Sequence, residues 1–231
     1  MLPPWYQGDV RVLASCVALA VCAGCASPDP APPAPTSSAA TTPAASAVID
    51  TGQVGRTRAL LPPGFDFGGV PVRVAPVALW GLGAQWVAEP QRCAVLAEPP
   101  IDTPAQGWSA SGPGAIVYVV VAASPVTLDD AVRAECGTFA VQAGHTSGVV
   151  RDVEAPAVDG AATIGLQVDA TTVVEGGTET HSQAQTLSAY LPGHLVSVTV
   201  VTDPGSTDDL VGAEFPATLL SRTVSALRGE R

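Results

Sequence analysis

Three stretches toward the C-terminal end alternate apolar with polar residues at period two, and this narrows the fold more than any other feature. In Thr163–Thr171, Ile164, Leu166, Val168 and Ala170 point one way while Gln167 and Asp169 point the other. Leu187, Ala189 and Leu191 alternate in the next run, and Val196, Val198 and Val200 in the one after. Successive side chains of a strand leave opposite faces, so the pattern predicts half-buried antiparallel strands. Pro192-Gly193 suits a tight turn between the last two, and Glu175-Gly176-Gly177 opens the turn before them.

Around this sheet the rest of the chain is read more coarsely. Residues 115–122, AIVYVVVA, are apolar throughout and predict a central strand covered on both faces. Thr127 and Asp130 suit the N-cap and third position of a helix over 128–139, with Leu128, Val132, Cys136 and Phe139 on its inner face. A last helix near 216–228 shares Leu220, Val224 and Leu227 along one face, with Gly229 as its cap. Residues 56–65 predict a helical turn stopped by Pro62-Pro63-Gly64, and Val70–Val74 a first strand. Pro76 opens a short segment carrying Trp80, and Pro90–Leu96 predicts one or two helical turns. The expected class is α+β: a mostly antiparallel sheet with helices packed on it and one disulfide.

The N-terminal quarter speaks about compartment. Residues 12–24 form a 13-residue apolar run after Arg11, too short to span a bilayer and suited to the core of a signal peptide. It ends in Cys22-Ala23-Gly24-Cys25, small residues ahead of a cysteine as lipoprotein processing requires. An ordinary cleaved leader without lipid is the plainer alternative; Cys16 belongs to the apolar run itself. The expected organisation is a signal peptide over 1–24, a lipidated Cys25 with an Ala/Pro/Ser/Thr-rich tether to residue 47, and one extracytoplasmic domain over 48–231. Such a tether stays extended at roughly 3 Å per residue and holds the domain clear of the membrane. The protein is thus expected to be exported and lipid-anchored on the outer face of the cell membrane. A net charge of -11 leaves no basic stripe for a phosphate backbone, so no nucleic acid is expected as a partner. The chain has no Lys and no Asn, residues with A/T-rich codons, which points to a GC-rich actinobacterial genome.

Once Cys16 and Cys22 leave with the leader and Cys25 takes lipid, Cys93 and Cys136 remain. Outside the cytosol such a pair oxidises to one disulfide. His145, His181 and His194 are scattered, with no metal-ligand spacing, and no metal or cofactor is expected. Gly107-Trp108-Ser109-Ala110-Ser111 resembles a nucleophile elbow but ends in Ser where Gly is needed. Asp203, Asp208 and Asp209 cluster without the spacing of a calcium loop. Aromatic residues are 5% of the chain, yet Trp80, Trp86 and Trp108 fall within thirty residues. With Tyr118 they are the candidate lining of a cleft for an apolar or sugar-like ligand, or else a packed mini-core under the disulfide.

Leu60-Leu61-Pro62-Pro63-Gly64, Ala78-Leu79-Trp80-Gly81-Leu82-Gly83 with Trp86, Gln91-Arg92-Cys93, Gly107-Trp108-Ser109 and Ile116-Val117-Tyr118 resemble a mycobacterial lipoprotein family of unknown function. That resemblance covers about 55–202; more remotely, the domain is similar to the extracellular sensor domain of the mycobacterial kinase PknH. The resemblance implies a secreted α+β domain with a Cys93–Cys136 bridge and no known catalytic residues. Sensor-type domains add a central cleft, read as a ligand site, and a second disulfide, for which this chain has no second cysteine pair. The functional expectation is a membrane-anchored cell-envelope lipoprotein with a non-enzymatic ligand-binding or accessory, sensor-like domain. Its partners would be the membrane, through Cys25, and a cell-wall component, lipid or envelope protein. An envelope hydrolase and a purely structural protein-interaction domain are the alternatives.

Overall fold

The computed structural model describes residues 48–72, 74–202 and 211–230. The leader, Cys25, the tether, Asp203, Asp208 and Asp209 lie outside the described residues. A nine-stranded antiparallel sheet dominates: β1 (Asp66–Gly68), β2 (Val87–Glu89), β3 (Gln106–Gly112), β4 (Ala115–Ala123), β5 (Thr138–Ala143), β6 (Thr146–Val153), β7 (Ala162–Val173), β8 (Glu179–Leu191) and β9 (His194–Thr202). Their spatial order is β1-β3-β4-β9-β8-β7-β6-β5-β2. Among the described residues, α1 (Pro76–Leu79), α2 (Ala94–Ala97) and α3 (Asp130–Glu135) lie in connections between strands, α4 (Phe215–Leu227) follows β9, and a 3₁₀-helix covers Thr51–Leu60. The class is α+β, mainly sheet. Among the described residues no helix is long and apolar enough to cross a membrane.

The three alternating runs are β7, β8 and β9, paired in register across the Pro192-Gly193 turn as Leu191 with His194 and Leu187 with Val198. Their alternation separates two cores. On the first face, Leu187, Ala189, Leu191, Val196, Val198 and Val200 join Val117 and Val119 of β4 beneath Leu219, Leu220, Val224 and Leu227 of α4. On the second face, Ile164, Leu166, Val168 and Ala170 of β7 pack with Phe139, Val141, Trp80 and both cysteines. The expectation of half-buried strands therefore fails for β8 and β9. Their hydroxyl-bearing positions Thr186, Ser188, Ser197 and Thr199 are buried as well. Hydroxyls at alternate positions imitate a solvent face, but here they lie under the segment that carries Trp80.

Other boundaries shift for local reasons. Strand β4 is covered on both faces only in its second half, since Ile116 is exposed and Tyr118 half-buried. No strand forms among the described residues of 70–74; β1 forms instead at Asp66–Gly68, pairing with Ser109–Ser111. The first helix runs Thr51–Leu60, capped by Asp50 Oδ1 accepting from the Gly52 amide, and stops before Pro62. The helix expected over 128–139 is only Asp130–Glu135. Asp129, not Thr127, caps it, its Oδ1 accepting from the Ala131 and Val132 amides at 2.8 and 3.3 Å. Gly137 disfavours continuation, and Thr138–Ala143 pairs with β6 instead, so Phe139 is a strand residue. The inward direction of Cys136 holds: it is fully buried.

Candidate functional site

The three domain tryptophans separate. Trp80 caps α1, whose first residue Pro76 starts a single turn, and its indole lies on the second face. Its Nε1 donates to Thr186 Oγ1 at 2.9 Å, and Thr186 Oγ1 sits 2.8 Å from Thr199 Oγ1. Trp108 lies on β3 and is buried on the first face. Its Nε1 reaches the Val54 carbonyl at 3.1 Å and Thr57 Oγ1 at 3.2 Å, pinning the 3₁₀-helix to the sheet. Tyr118, cross-strand to Ser109 and Thr199, takes the side opposite Trp108. Trp80, Trp86, Trp108 and Tyr118 thus do not line one cleft. Trp80 and Trp108 are pinning residues in different cores, on opposite sides of the sheet.

The disulfide organises the second face. Cys93 and Cys136 are joined, their Cα atoms 5.6 Å apart, tying the turn before α2 to the end of α3. Both belong to the Trp80 core, so the mini-core reading fits Trp80. An Arg92–Glu135 ion pair runs beside the bridge. Arg133 holds α3 to the sheet by donating to Asp152 Oδ2 at 2.7 Å and to the Thr163 carbonyl at 3.2 Å. Bonding to Asp152 raises the Arg133 pKa above its ordinary value. On the same face Tyr190 is buried, and desolvation of its phenolate pushes its pKa up to about 12.

Trp86 is the tryptophan left half-open, and it stands between two adjoining hollows on this face. Its Nε1 donates to Glu98 Oε2 at 2.8 Å. This indole–carboxylate pair is shared by two hollows. One, of about 500 Å³, runs between α1 and the Pro99-Pro100-Ile101 segment and is walled by Val74, Val77, Leu82 and Ile101. The other, of about 790 Å³, lies against β2 and β5 and is walled by Ala88, Glu89, Gln91, Val141 and Gln142. Both volumes fall within the range of small-molecule sites. The Trp cluster was the signal for Trp86. Nothing in the sequence pairs it with Glu98, which ends α2 as its C-cap.

Among the described residues no reactive constellation faces these hollows. His181 is exposed, its Nδ1 3.0 Å from Thr171 Oγ1, and His194 Nδ1 lies 3.5 Å from the Pro192 carbonyl. Ser109, of the elbow-like run, sits within β3 and donates to the Gly69 carbonyl. Among the described residues no group of three or more His, Cys, Asp or Glu is placed to hold a metal ion.

Residues 50–228 match a family described as "Domain of unknown function (DUF5642)". Among solved structures, an uncharacterised protein from Mycobacterium smegmatis, an Rv0999 ortholog, is similar at a TM-score of 0.58 and 23% identity, covering 80% of this chain and 100% of that one. The extracellular domain of PknH from Mycobacterium tuberculosis is similar at a TM-score of 0.46 and 13% identity, covering 79% of this chain and 93% of that one. No curated protein matches.

Proposed function

We propose that this chain, which belongs to the DUF5642 family of domains of unknown function, is a membrane-anchored cell-envelope lipoprotein whose domain binds a ligand or partner without transforming it. The observation that carries the binding reading is the pair of adjoining hollows that share Trp86 and Glu98. An open apolar concavity with a few convergent polar groups is what recognition needs. A hydrolase also needs a base held against a nucleophile. The His181–Thr171 pair is an exposed cross-strand contact, and neither residue lines the two hollows.

Export is supported by the apolar leader ending at Cys25 and by the oxidised Cys93–Cys136 pair, since such a bridge persists in an oxidising compartment. Anchoring places the domain at the outer face of the membrane, facing wall components, lipids and envelope proteins. Mass spectrometry of the native protein tests the address. The expected species begins at Cys25 with a diacylglyceryl adduct, and Cys25→Ser releases the protein from the membrane fraction. An intact precursor with free thiols in the cytosol sinks the reading. Thermal-shift screening against glycans, lipids and organic ions tests binding, with stabilisation by at least one class expected.

A further inference from the structure

The chemistry of the two hollows says more than that something binds there. The α1-side hollow is aliphatic, with Glu98 as its one charged lining residue among those described. The β2-side hollow brings Glu89 and Glu98 together with the amides of Gln91 and Gln142, and no Lys or Arg is among its described lining residues. The Trp86 indole lines both hollows, at the place where the apolar and acidic parts adjoin. Its hydrogen bond to Glu98 Oε2 orients the carboxylate at this junction.

Resting on the binding reading, we infer that the cleft takes an organic cation. The ligand carries an apolar body that fills the α1-side hollow and a protonated amine or quaternary ammonium held by Trp86, Glu98 and Glu89. Three arguments select this class. An apolar ligand without charge would cover two carboxylates, and the one Trp86 hydrogen bond to Glu98 offsets little of their lost hydration. An anionic headgroup would meet those carboxylates and the net charge of -11. A cation satisfies both and gains from the indole quadrupole. The carboxylates thus select for charge while the aliphatic hollow supplies contact area.

Isothermal titration of the full chain with n-octylammonium, n-octanol and n-octanoate tests the inference, because the three share a tail and differ in headgroup charge. Octylammonium should bind about tenfold more tightly than octanol, as expected for one cation–π contact plus partly exposed ion pairs. The Glu89→Gln/Glu98→Gln variant should erase that preference by weakening octylammonium, while octanol binds at least as tightly as to the unchanged chain. The amide oxygen introduced at position 98 can still accept the Trp86 hydrogen, so the wall keeps its shape. Glu175→Gln/Glu179→Gln, two exposed carboxylates at the β7–β8 turn, should leave the preference intact and so exclude a general effect of net charge. Octanol or octanoate binding as tightly as octylammonium overturns the inference and leaves a binding cleft standing. A preference that survives in Glu89→Gln/Glu98→Gln overturns the assignment of residues. Failure of all three compounds to bind overturns the inference; stabilisation by another class in the thermal-shift screen would still preserve the binding reading.

Discussion

Thr186→Val should destabilise the domain by about 1–3 kcal/mol, the penalty for leaving a buried donor unsatisfied. Trp80 and Thr186 are 2% and 1% exposed, so no water can replace the hydroxyl that accepts the indole hydrogen. Valine keeps the side-chain shape, which isolates the hydrogen bond from cavity effects. The same change removes the Thr186–Thr199 contact at 2.8 Å, and the added methyl offsets only part of the loss. Urea unfolding followed by tryptophan fluorescence measures the effect. At a slope of about 2 kcal/mol/M, a loss of about 2 kcal/mol moves the midpoint down by about 1 M with the slope unchanged. Trp80→Phe provides the second leg of a double-mutant cycle. In that background Thr186→Val should lose far less, because no indole donor remains to be stranded. An unmoved midpoint in Thr186→Val, or an equal loss in both backgrounds, would refute the claim that this bond fixes the Trp80 segment on the sheet.

Three further outcomes follow from the same structure. Cys93→Ala/Cys136→Ala should lose about 4 kcal/mol in the chain-entropy treatment of a 43-residue separation, read as a lower urea midpoint that reductant does not change further. Tyr190 has a folded pKa of about 12 against an ordinary value near 10, so the unfolded chain gives up its proton first as pH rises. That contribution is fully present below about pH 10 and is lost on the way to about pH 12, by about 2–3 kcal/mol; Tyr190→Phe should flatten the alkaline fall in stability over that window. Gly107→Ala would put a Cβ 1.9 Å from the Val119 carbonyl oxygen across the β3–β4 pair. It should cost about 1–3 kcal/mol or more as the strands are forced apart, measured by the same unfolding curves.

How far the fold can be read from the chain depends on how many signals share a residue. Helix α4 and strands β7 to β9 were readable because each is long and its period runs uninterrupted. Phe139 shows the opposite case. It completes a helical spacing from Leu128 through Val132 and Cys136, and it also belongs to the in-out alternation of Thr138–Ala143. Gly137 and pairing with β6 settle the conflict, and the second of these is a long-range contact that a local window does not contain. The short strands β1 and β2, three residues each, are too brief to carry a period.

The site obeys the same rule. Three tryptophans close in sequence suggested one cleft, but sequence distance does not carry the face of a sheet. Trp108 on β3 and Trp80 on α1 meet the sheet from opposite sides, so both became internal fasteners. Trp86, between them, stays half-exposed and meets Glu98, the residue that ends α2. The disulfide was foreseeable from compartment and cysteine arithmetic, whereas an indole and a carboxylate sharing a wall required the fold. The residues that fasten this domain and those available for recognition are therefore distinct, and changes at Glu89 or Glu98 can alter binding without disturbing the Trp80 and Trp108 anchors.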